Sequence, residues 1–144
     1  MLPILLPPII AGIIAQTSKF FIKSNHLKFK RKELMSYSGM PSGHAAIVIS
    51  LSVSILLNEG LGSPLFAISS VVALVVIRDA MGIRRYLGQH GRTLNILVKD
   101  LSDDNVLDKN YPHLLERIGH TPAQIIVGTA IGLVVSLAYY FLLY

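Results

Sequence analysis

The stretch Gly39-Met40-Pro41-Ser42-Gly43-His44 stands directly before a long apolar segment and decides how the chain is interpreted. It places a histidine in the first turn of a predicted membrane helix, where unpaired backbone N–H groups and the helix dipole favour an anion. A second junction of this kind, Gly119-His120-Thr121-Pro122, opens the last apolar segment. Two histidines at two helix N-termini, with Arg84 and Arg85 between them in the sequence, indicate phosphate chemistry at a membrane surface.

The composition is typical of a membrane protein. The 144 residues fit one small domain spanning 1–144, and 52% of them are hydrophobic, with a mean hydropathy of +0.58. All 13 lysines and arginines lie in two windows, Lys19 to Lys32 and Arg78 to Arg117. This distribution follows the positive-inside rule and argues against a nucleic-acid partner, which requires a basic face on a soluble fold. The chain has no cysteine, which excludes disulfides and thiolate zinc sites.

Four apolar blocks predict the fold, and they run over Leu2–Ser18, His44–Leu57, Pro64–Ile77 and Pro122–Tyr144. The first block is interpreted as a retained helix and not as a signal peptide, because its positive charges follow it. The second and third blocks have 14 residues each, about 21 Å of helix, and the turn over Asn58–Ser63 joins them as an antiparallel hairpin. We therefore expect an all-α integral membrane bundle with four transmembrane helices.

The basic windows also predict the orientation. With Lys19 to Lys32 inside, the segments 19–41 and 78–121 both face the cytoplasm, and every polar motif falls on that side of the cell inner membrane. Within the longer segment we expect a helix over Arg78 to Leu97 and an acidic loop over Asp100 to Pro112. The sequence thus predicts one polar site facing the cytoplasm.

Hydrolysis of a phosphomonoester needs donors for the phosphate oxygens, a nucleophile in line and an acid for the leaving oxygen. Histidine serves as nucleophile or acid near neutral pH, which makes His44 and His120 candidate catalytic residues. Ser42 and Thr121 are suited to cap the two helices. The alternative is that both junctions are good helix starts with interfacial histidines.

Further polar residues complete the predicted site. An ionised carboxylate such as Asp79 is energetically unfavourable at the edge of an apolar helix, so it is expected to be paired or functional. Glu116 precedes His120 by one turn if that stretch is helical. Both are candidate catalytic residues. We expect the substrate phosphate to be bound by residues on the cytoplasmic side, namely Lys19, Ser42, Gly43, Arg84, Arg85 and Thr121. The remaining histidines, His26, His90 and His113, are predicted to lie on the surface.

These motifs resemble those of a known family. The run from Ser38 to Ala46 looks like the P-S-G-H motif of the type-2 phosphatidic acid phosphatases and vanadium haloperoxidases. The chain is similar over nearly its full length to the small, divergent membrane proteins described as acid phosphatase/vanadium-haloperoxidase related. The similarity rests on these residues: Gln16, Lys19, 39–45, 79–85, Gly88, Gln89, Asn95, Leu115, Glu116, 119–122 and Gly128.

The resemblance implies roles for the two histidines. In the superfamily the P-S-G-H histidine protonates the leaving group and a later histidine attacks phosphorus, which implies that His44 is the acid and His120 the nucleophile. The chain departs from the superfamily's S-R-x5-H-x3-D motif, since Leu114 stands at the arginine position and Gln124 at the aspartate position. The K-x6-R-P motif is absent. Asp79, Glu116, Arg84 and Arg85 are the available replacements.

Together these features predict a membrane lipid-phosphate phosphatase acting on the cytoplasmic leaflet without a metal or organic cofactor. Phosphatidylglycerophosphate is the leading substrate, because a cytoplasm-facing site suits a phospholipid made there. The alternatives are a non-catalytic subunit that binds lipid phosphate or serves an assembly, and a metal-dependent hydrolase using Asp79, Glu116 and the histidines. We also expect a homodimer, because Gly128 and Gly132 form a G-x-x-x-G packing face.

Overall fold

The computed structural model of the chain describes residues 2–22, 39–100, 113–116 and 118–143. This part of the chain contains helices and no strand, which confirms the all-α class. The helices are α1 (Leu2–Ser18), α2 (Gly43–Glu59), α3 (Pro64–Met81), α4 (Ile83–Asp100) and α5 (Pro122–Leu143).

A glycine directly follows the last residue of both α2 and α3. Both helices continue past the end of their apolar runs, α2 to Glu59 and α3 to Met81. Gly60 follows α2 with φ +83°, and its N–H donates to the carbonyl of Leu56. Gly82 follows α3 and donates to Arg78 in the same way. Positive φ favours glycine, so Gly60 sets the end of α2, whereas Gly82, with φ −98°, simply lies between α3 and α4.

The helix predicted over Arg78 to Leu97 is present, but Gly82 divides it. Residues up to Met81 belong to α3, and α4 begins at Ile83. The predicted acidic loop over Asp100 to Pro112 lies, except for Asp100 at the end of α4, outside the described residues.

Helix α2 is the centre of the bundle. It packs against α1, α3 and α5, and α1 also contacts α5. The buried core is made of small side chains, among them Ala11 and Ala15 of α1 and Ala46 of α2, which cluster beneath Ile131 and Val135 of α5. Small residues let helix backbones approach closely. In a lipid bilayer the hydrophobic effect does not drive helices together, so this close packing stabilises their association.

Two glycines bring α5 against α2. A Cβ on Gly128 would overlap the carbonyl oxygen of Ser42, and one on Gly132 would overlap that of Ala46 and lie 3.0 Å from the backbone nitrogen of Ser50. Both glycines are buried inside the chain. Since α2 already occupies this G-x-x-x-G face, these glycines are not available to a second copy. The reason given for a homodimer was therefore wrong, and the dimer itself stays a prediction.

A serine cluster below these glycines joins the same two helices. Ser50 Oγ lies 2.7 Å from Ser136 Oγ, and Ser54 Oγ donates to Ser136 Oγ at 3.3 Å. Ser136 Oγ also lies within 3.0 Å of the carbonyl oxygens of Ser50 and Gly132. All three hydroxyls are buried and paired, so they fasten α5 to α2 without an unsatisfied polar group among them.

The outside of the bundle is apolar. Large hydrophobic side chains are exposed on α1, α3 and α5, including Ile13, Leu74 and Phe141. Two helical stretches are long and apolar enough to cross a membrane, Pro64–Asp100 and Pro122–Leu143, while Leu2–Ser18 and Gly43–Glu59 are apolar but shorter. Four transmembrane helices and their orientation stay predictions.

We predict that Gly132→Val destabilises the protein by about 1–3 kcal/mol, because the added side chain forces α5 away from α2. Thermal unfolding in a mild detergent, followed by circular dichroism, measures the change. Val134→Leu is the matched control, since Val134 is 62% exposed on the same helix. Equal unfolding temperatures for the two variants would contradict the packing argument.

Candidate functional site

The N-terminus of α2 is closed by Ser42. Its Oγ accepts a hydrogen bond from the backbone N–H of Ala45 at 3.3 Å, as an N-cap residue does. Its own backbone N–H donates to the carbonyl of Gln124 in α5 at 3.0 Å. The starts of α2 and α5 are therefore bound directly to each other, which places His44 and His120 on neighbouring helix ends.

The N-terminus of α5 carries a reciprocal capping box. Thr121 Oγ1 accepts from the backbone N–H of Gln124 at 3.4 Å, and Gln124 Oε1 accepts from the backbone N–H of Thr121 at 3.1 Å. This is the S/T-x-x-E/Q arrangement, which Thr121 to Gln124 matches in sequence. The box fixes the Gln124 side chain, so its amide oxygen cannot turn away without breaking the cap.

The same Gln124 oxygen meets the catalytic candidate His120. Its Oε1 lies 3.1 Å from His120 Nδ1. A backbone N–H can only donate, so the Gln124 atom that faces Thr121 N is an acceptor oxygen and not the amide nitrogen. His120 Nδ1 must then carry the proton and donate it to Gln124. In the neutral imidazole, the lone pair consequently lies on Nε2.

The backbone of His120 is held against the end of α3. Its N–H donates to the carbonyl of Ala80 at 2.9 Å. The preceding Gly119 has φ +88°, and a Cβ there would lie 2.7 Å from the backbone nitrogen of Arg85. Only glycine suits both the conformation and the space, and His120 is thereby buried between α3 and α5, with 3% of its surface exposed.

The two histidine rings face each other. Their centroids are 6.2 Å apart and their planes are tilted by 58°. His44 is exposed, whereas His120 is buried. The sequence prediction that the two junctions form one site agrees with this geometry.

Positive charge surrounds the buried histidine. Burial lowers the pKa of His120 below its ordinary value of 6.5, and the charges of Lys19, His44 and Arg84 act in the same direction, while the hydrogen bond that His120 donates to Gln124 opposes them. Lys19 follows α1 and is itself only 3% exposed, and burial lowers its pKa. The neutral, nucleophilic form of His120 is therefore favoured at neutral pH.

Asp79 and Arg84 form an ion pair beside this site. Arg84 Nε donates to Asp79 Oδ2 at 2.6 Å, and both side chains are about one-third exposed. Asp79 was predicted to be paired or functional, and in the structure it is paired with an arginine. The contact uses Nε of the guanidinium, and the two Nη groups are the ones suited to a phosphate.

Arg85 points elsewhere than its neighbour Arg84. It lines a cleft with Arg78 on α3 and α4, and it is not among the charges that act on His120. Adjacent residues on a helix differ by about 100° in direction, which separates the two arginines. Of the two arginines predicted to bind phosphate, only Arg84 is therefore placed where its charge acts on His120.

Glu116 does not contact His120. The condition for one helical turn between them is not met, because residues 113–116 are not helical. Asn95 of α4 donates to Glu116 Oε1 at 2.9 Å and also exchanges hydrogen bonds with the backbone of Leu114. This segment packs on Gly88 and Gly91, where a Cβ would approach backbone oxygens within 3 Å. Glu116 thus helps to hold residues 113–116 against α4 through its hydrogen bond with Asn95.

The other histidines and Gly43 are placed as follows. His90 and His113 are exposed, as predicted, and His26 lies outside the described residues. Gly43 opens α2, and a Cβ there would lie 3.6 Å from Oε1 of Gln16 on α1. Within the residues that the structure describes, no three His, Asp or Glu side chains converge as metal ligands do. The expectation of a metal-free reaction stays a prediction.

Two residues of the site were missing from the sequence-based set of site residues. Gln124 holds His120 Nδ1; the motif comparison had placed it at the position of the histidine's partner without including it in the site, and the Thr-x-x-Gln capping pattern was a second signal for it. Ala80 contributes a backbone carbonyl, which no side-chain pattern reveals.

The family model described as "Divergent PAP2 family" matches residues 2–135 of this chain. The chain belongs to that family. It is also 36% identical over 152 residues to a protein of Bacillus subtilis (strain 168) named "Uncharacterized membrane protein YuiD", and the alignment covers 96% of this chain and 95% of that one. No solved structure matches the chain. Membership of the Divergent PAP2 family confirms the resemblance, and the relative supports a membrane protein.

We predict that ¹⁵N NMR of labelled protein shows His120 in the Nδ1–H tautomer. Gln124→Ala removes the acceptor and should give a tautomer mixture, whereas Gln124→Glu keeps an acceptor there and should retain Nδ1–H. An Nε2–H tautomer in the wild type would contradict the assignment.

Proposed function

We propose that this protein hydrolyses the phosphomonoester of a membrane lipid through a histidine nucleophile and a histidine acid. The observation that carries the proposal is the contact of His120 Nδ1 with Gln124 Oε1, which assigns the free lone pair to Nε2, with the His44 ring centroid 6.2 Å from that of His120. Membership of the Divergent PAP2 family supports the same class of reaction.

In the proposed first step, His120 Nε2 attacks phosphorus and forms a P–N bond while the P–O bond to the lipid breaks. Protonated His44 gives its proton to the departing lipid oxygen, which leaves as an alcohol. In the second step, a water molecule attacks the phosphohistidine and His44 accepts its proton. The P–N bond breaks, and inorganic phosphate and free His120 are produced.

The charges and helix ends beside the histidines are suited to a phosphate dianion. Lys19 and Arg84 act on His120 as positive charges. The first turns of α2 and α5 supply backbone N–H groups and the positive ends of two helix dipoles. Preorganised donors of this kind stabilise the charge that develops on the transferred phosphoryl group.

The membrane setting favours a lipid substrate. The histidines lie at the ends of apolar helices, so a phosphate on a lipid headgroup reaches them while its acyl chains stay in the bilayer. Phosphatidylglycerophosphate remains the leading candidate, followed by other glycerolipid and polyprenyl phosphomonoesters. Phosphate release by the purified protein over this panel of lipids tests the proposal, and no release from any of them by folded protein would refute it.

We predict that His120→Ala abolishes phosphate release and that His44→Ala slows it by about 10²–10⁴-fold, as loss of a general acid does. His90→Ala is the matched control, because His90 is exposed on α4. Turnover of His120→Ala near that of the control would rule out the histidine nucleophile.

We further predict that the acidic limb of the kcat/KM profile lies below pH 6.5, because the pKa of His120 is lowered and only its neutral form attacks. Gln124→Glu places a negative charge at Nδ1, favours the imidazolium and should move this limb to higher pH, with activity kept or raised above it. Asn58→Asp is the matched control, since Asn58 donates to the carbonyl of Ser54 near the opposite end of α2. A limb that moves equally in both variants would contradict this role of Gln124.

The neutral amide at position 124 favours a second candidate, a non-catalytic lipid-phosphate binder, because it does not stabilise a charged imidazole as a carboxylate does. Vanadate separates the two candidates. Vanadate bound between His120 and His44 supports the enzyme, and vanadate held only by exposed lysines supports the binder. Full activity in excess chelator would rule out the metal-dependent alternative.

A further inference from the structure

A second basic surface lies at the junction of α3 and α4. There the chain forms a cleft of about 470 Å³ lined by Arg78, Met81, Gly82, Arg85, Tyr86 and Gln89. Gly82, the residue between the two helices, contributes no side chain to fill it. The cleft shares no lining residue with the His44–His120 pair.

The cleft lies on a different face of these helices from His120. Arg85 and Gln89 are one helical turn apart on α4, and both line the cleft together with Arg78 of α3, so these three side chains share one side. Ala80, whose carbonyl holds the backbone of His120, follows Arg78 by two positions on α3 and is therefore about 160° away from it around the helix. The separation of Arg85 from Arg84 has the same origin.

The lining carries two guanidinium groups and no carboxylate. Asp79 is the nearest acidic residue in the sequence, and Arg84 already binds it. Arg78 and Arg85 offer planar sets of N–H donors that match phosphate oxygens, and the Tyr86 hydroxyl and Gln89 amide add neutral donors. Like charges that converge on an open cleft without a carboxylate favour an anion.

Two of the lining residues present exposed apolar surface. Met81 is 37% exposed and Tyr86 63% exposed. The cleft follows directly on α3, which is part of a stretch apolar enough to cross a membrane. An anion bound here would therefore have acyl chains beside it, as a phospholipid headgroup has.

We propose that the Arg78–Arg85 cleft is a second anion site, separate from the histidine pair, that binds the phosphate group of an anionic phospholipid. The shared chemistry is a phosphate oxyanion, whose source is a lipid headgroup or free phosphate. This site stands whether or not the histidines are catalytic.

Native mass spectrometry of the full-length protein in a neutral detergent tests the site. Phosphatidylglycerol and phosphatidylcholine are added at equal concentration, and the bound fraction of each is measured. The wild type should retain phosphatidylglycerol in preference, and the double variant Arg78→Gln, Arg85→Gln should retain at least about tenfold less, because two charge-assisted contacts are lost. Arg92→Gln is the matched control, since Arg92 is exposed on α4 and does not line the cleft. Gln89→Glu, which adds a carboxylate to the lining, should also lower retention and serves if the double variant does not fold.

The other arms distinguish the sources and the sites. If added inorganic phosphate displaces phosphatidylglycerol from the wild type, the cleft binds free phosphate as well as the lipid headgroup. If the lipid stays bound when phosphate is added, the cleft binds the headgroup. His120→Ala should retain phosphatidylglycerol, even where it abolishes hydrolysis. Retention by the double variant equal to that of Arg92→Gln, or loss of the lipid in His120→Ala, would overturn the proposal.

Discussion

The contact of α5 with α2 over Gly128 and Gly132 sets the position of every group at the candidate site. Because neither glycine has a side chain, the α5 backbone meets the carbonyls of Ser42 and Ala46 directly. The first turns of the two helices then lie side by side, and the Ser42 N–H reaches the carbonyl of Gln124. His44 follows one of these bonded residues by two positions, and His120 precedes the other by four. The distance between the rings is thus a consequence of backbone packing, and a larger residue at either glycine would separate the caps and the rings together.

Gln124 stands where the broader superfamily has a carboxylate, and it makes the contact with the histidine that this carboxylate would make. Its amide oxygen accepts from the Thr121 N–H and from His120 Nδ1, so one atom both caps α5 and selects the tautomer. A carboxylate would orient the ring equally well and would also stabilise the imidazolium. It would, however, offset part of the positive charge of Lys19 and Arg84 that acts beside His120. In the proposed reaction, a neutral partner would keep that charge for the anionic substrate, at the expense of a less stabilised imidazolium.

Local signals predicted much of the fold, and contacts between distant segments account for what they missed. The helix starts followed from Ser42 and from Thr121 with Pro122, because caps act within one turn. The roles of Arg84 and Arg85 were not separable, since the sequence does not tell which side of a helix faces a distant histidine. The spacing would have placed Glu116 one turn before His120 only in a helix, whereas Asn95 and two glycines of α4 hold that segment in a non-helical conformation. The G-x-x-x-G pattern was recognised, but a pattern alone does not distinguish a partner helix of the same chain from one of a second copy.

The histidine pair and the Arg78–Arg85 cleft both depend on the backbone around Gly82, where α3 ends and α4 begins. The backbone remains bonded across it, since the Gly82 N–H donates to Arg78 and the Tyr86 N–H donates to the carbonyl of Gly82. On one side of this joint, Ala80 holds His120 and Asp79 holds Arg84. On the other side, Arg78 and Arg85 line the cleft. An anion bound between them as proposed would relieve their mutual repulsion. Ala80 and the Gly119–Arg85 contact lie at the same joint, so the backbone that carries the cleft arginines is also the backbone against which His120 is held.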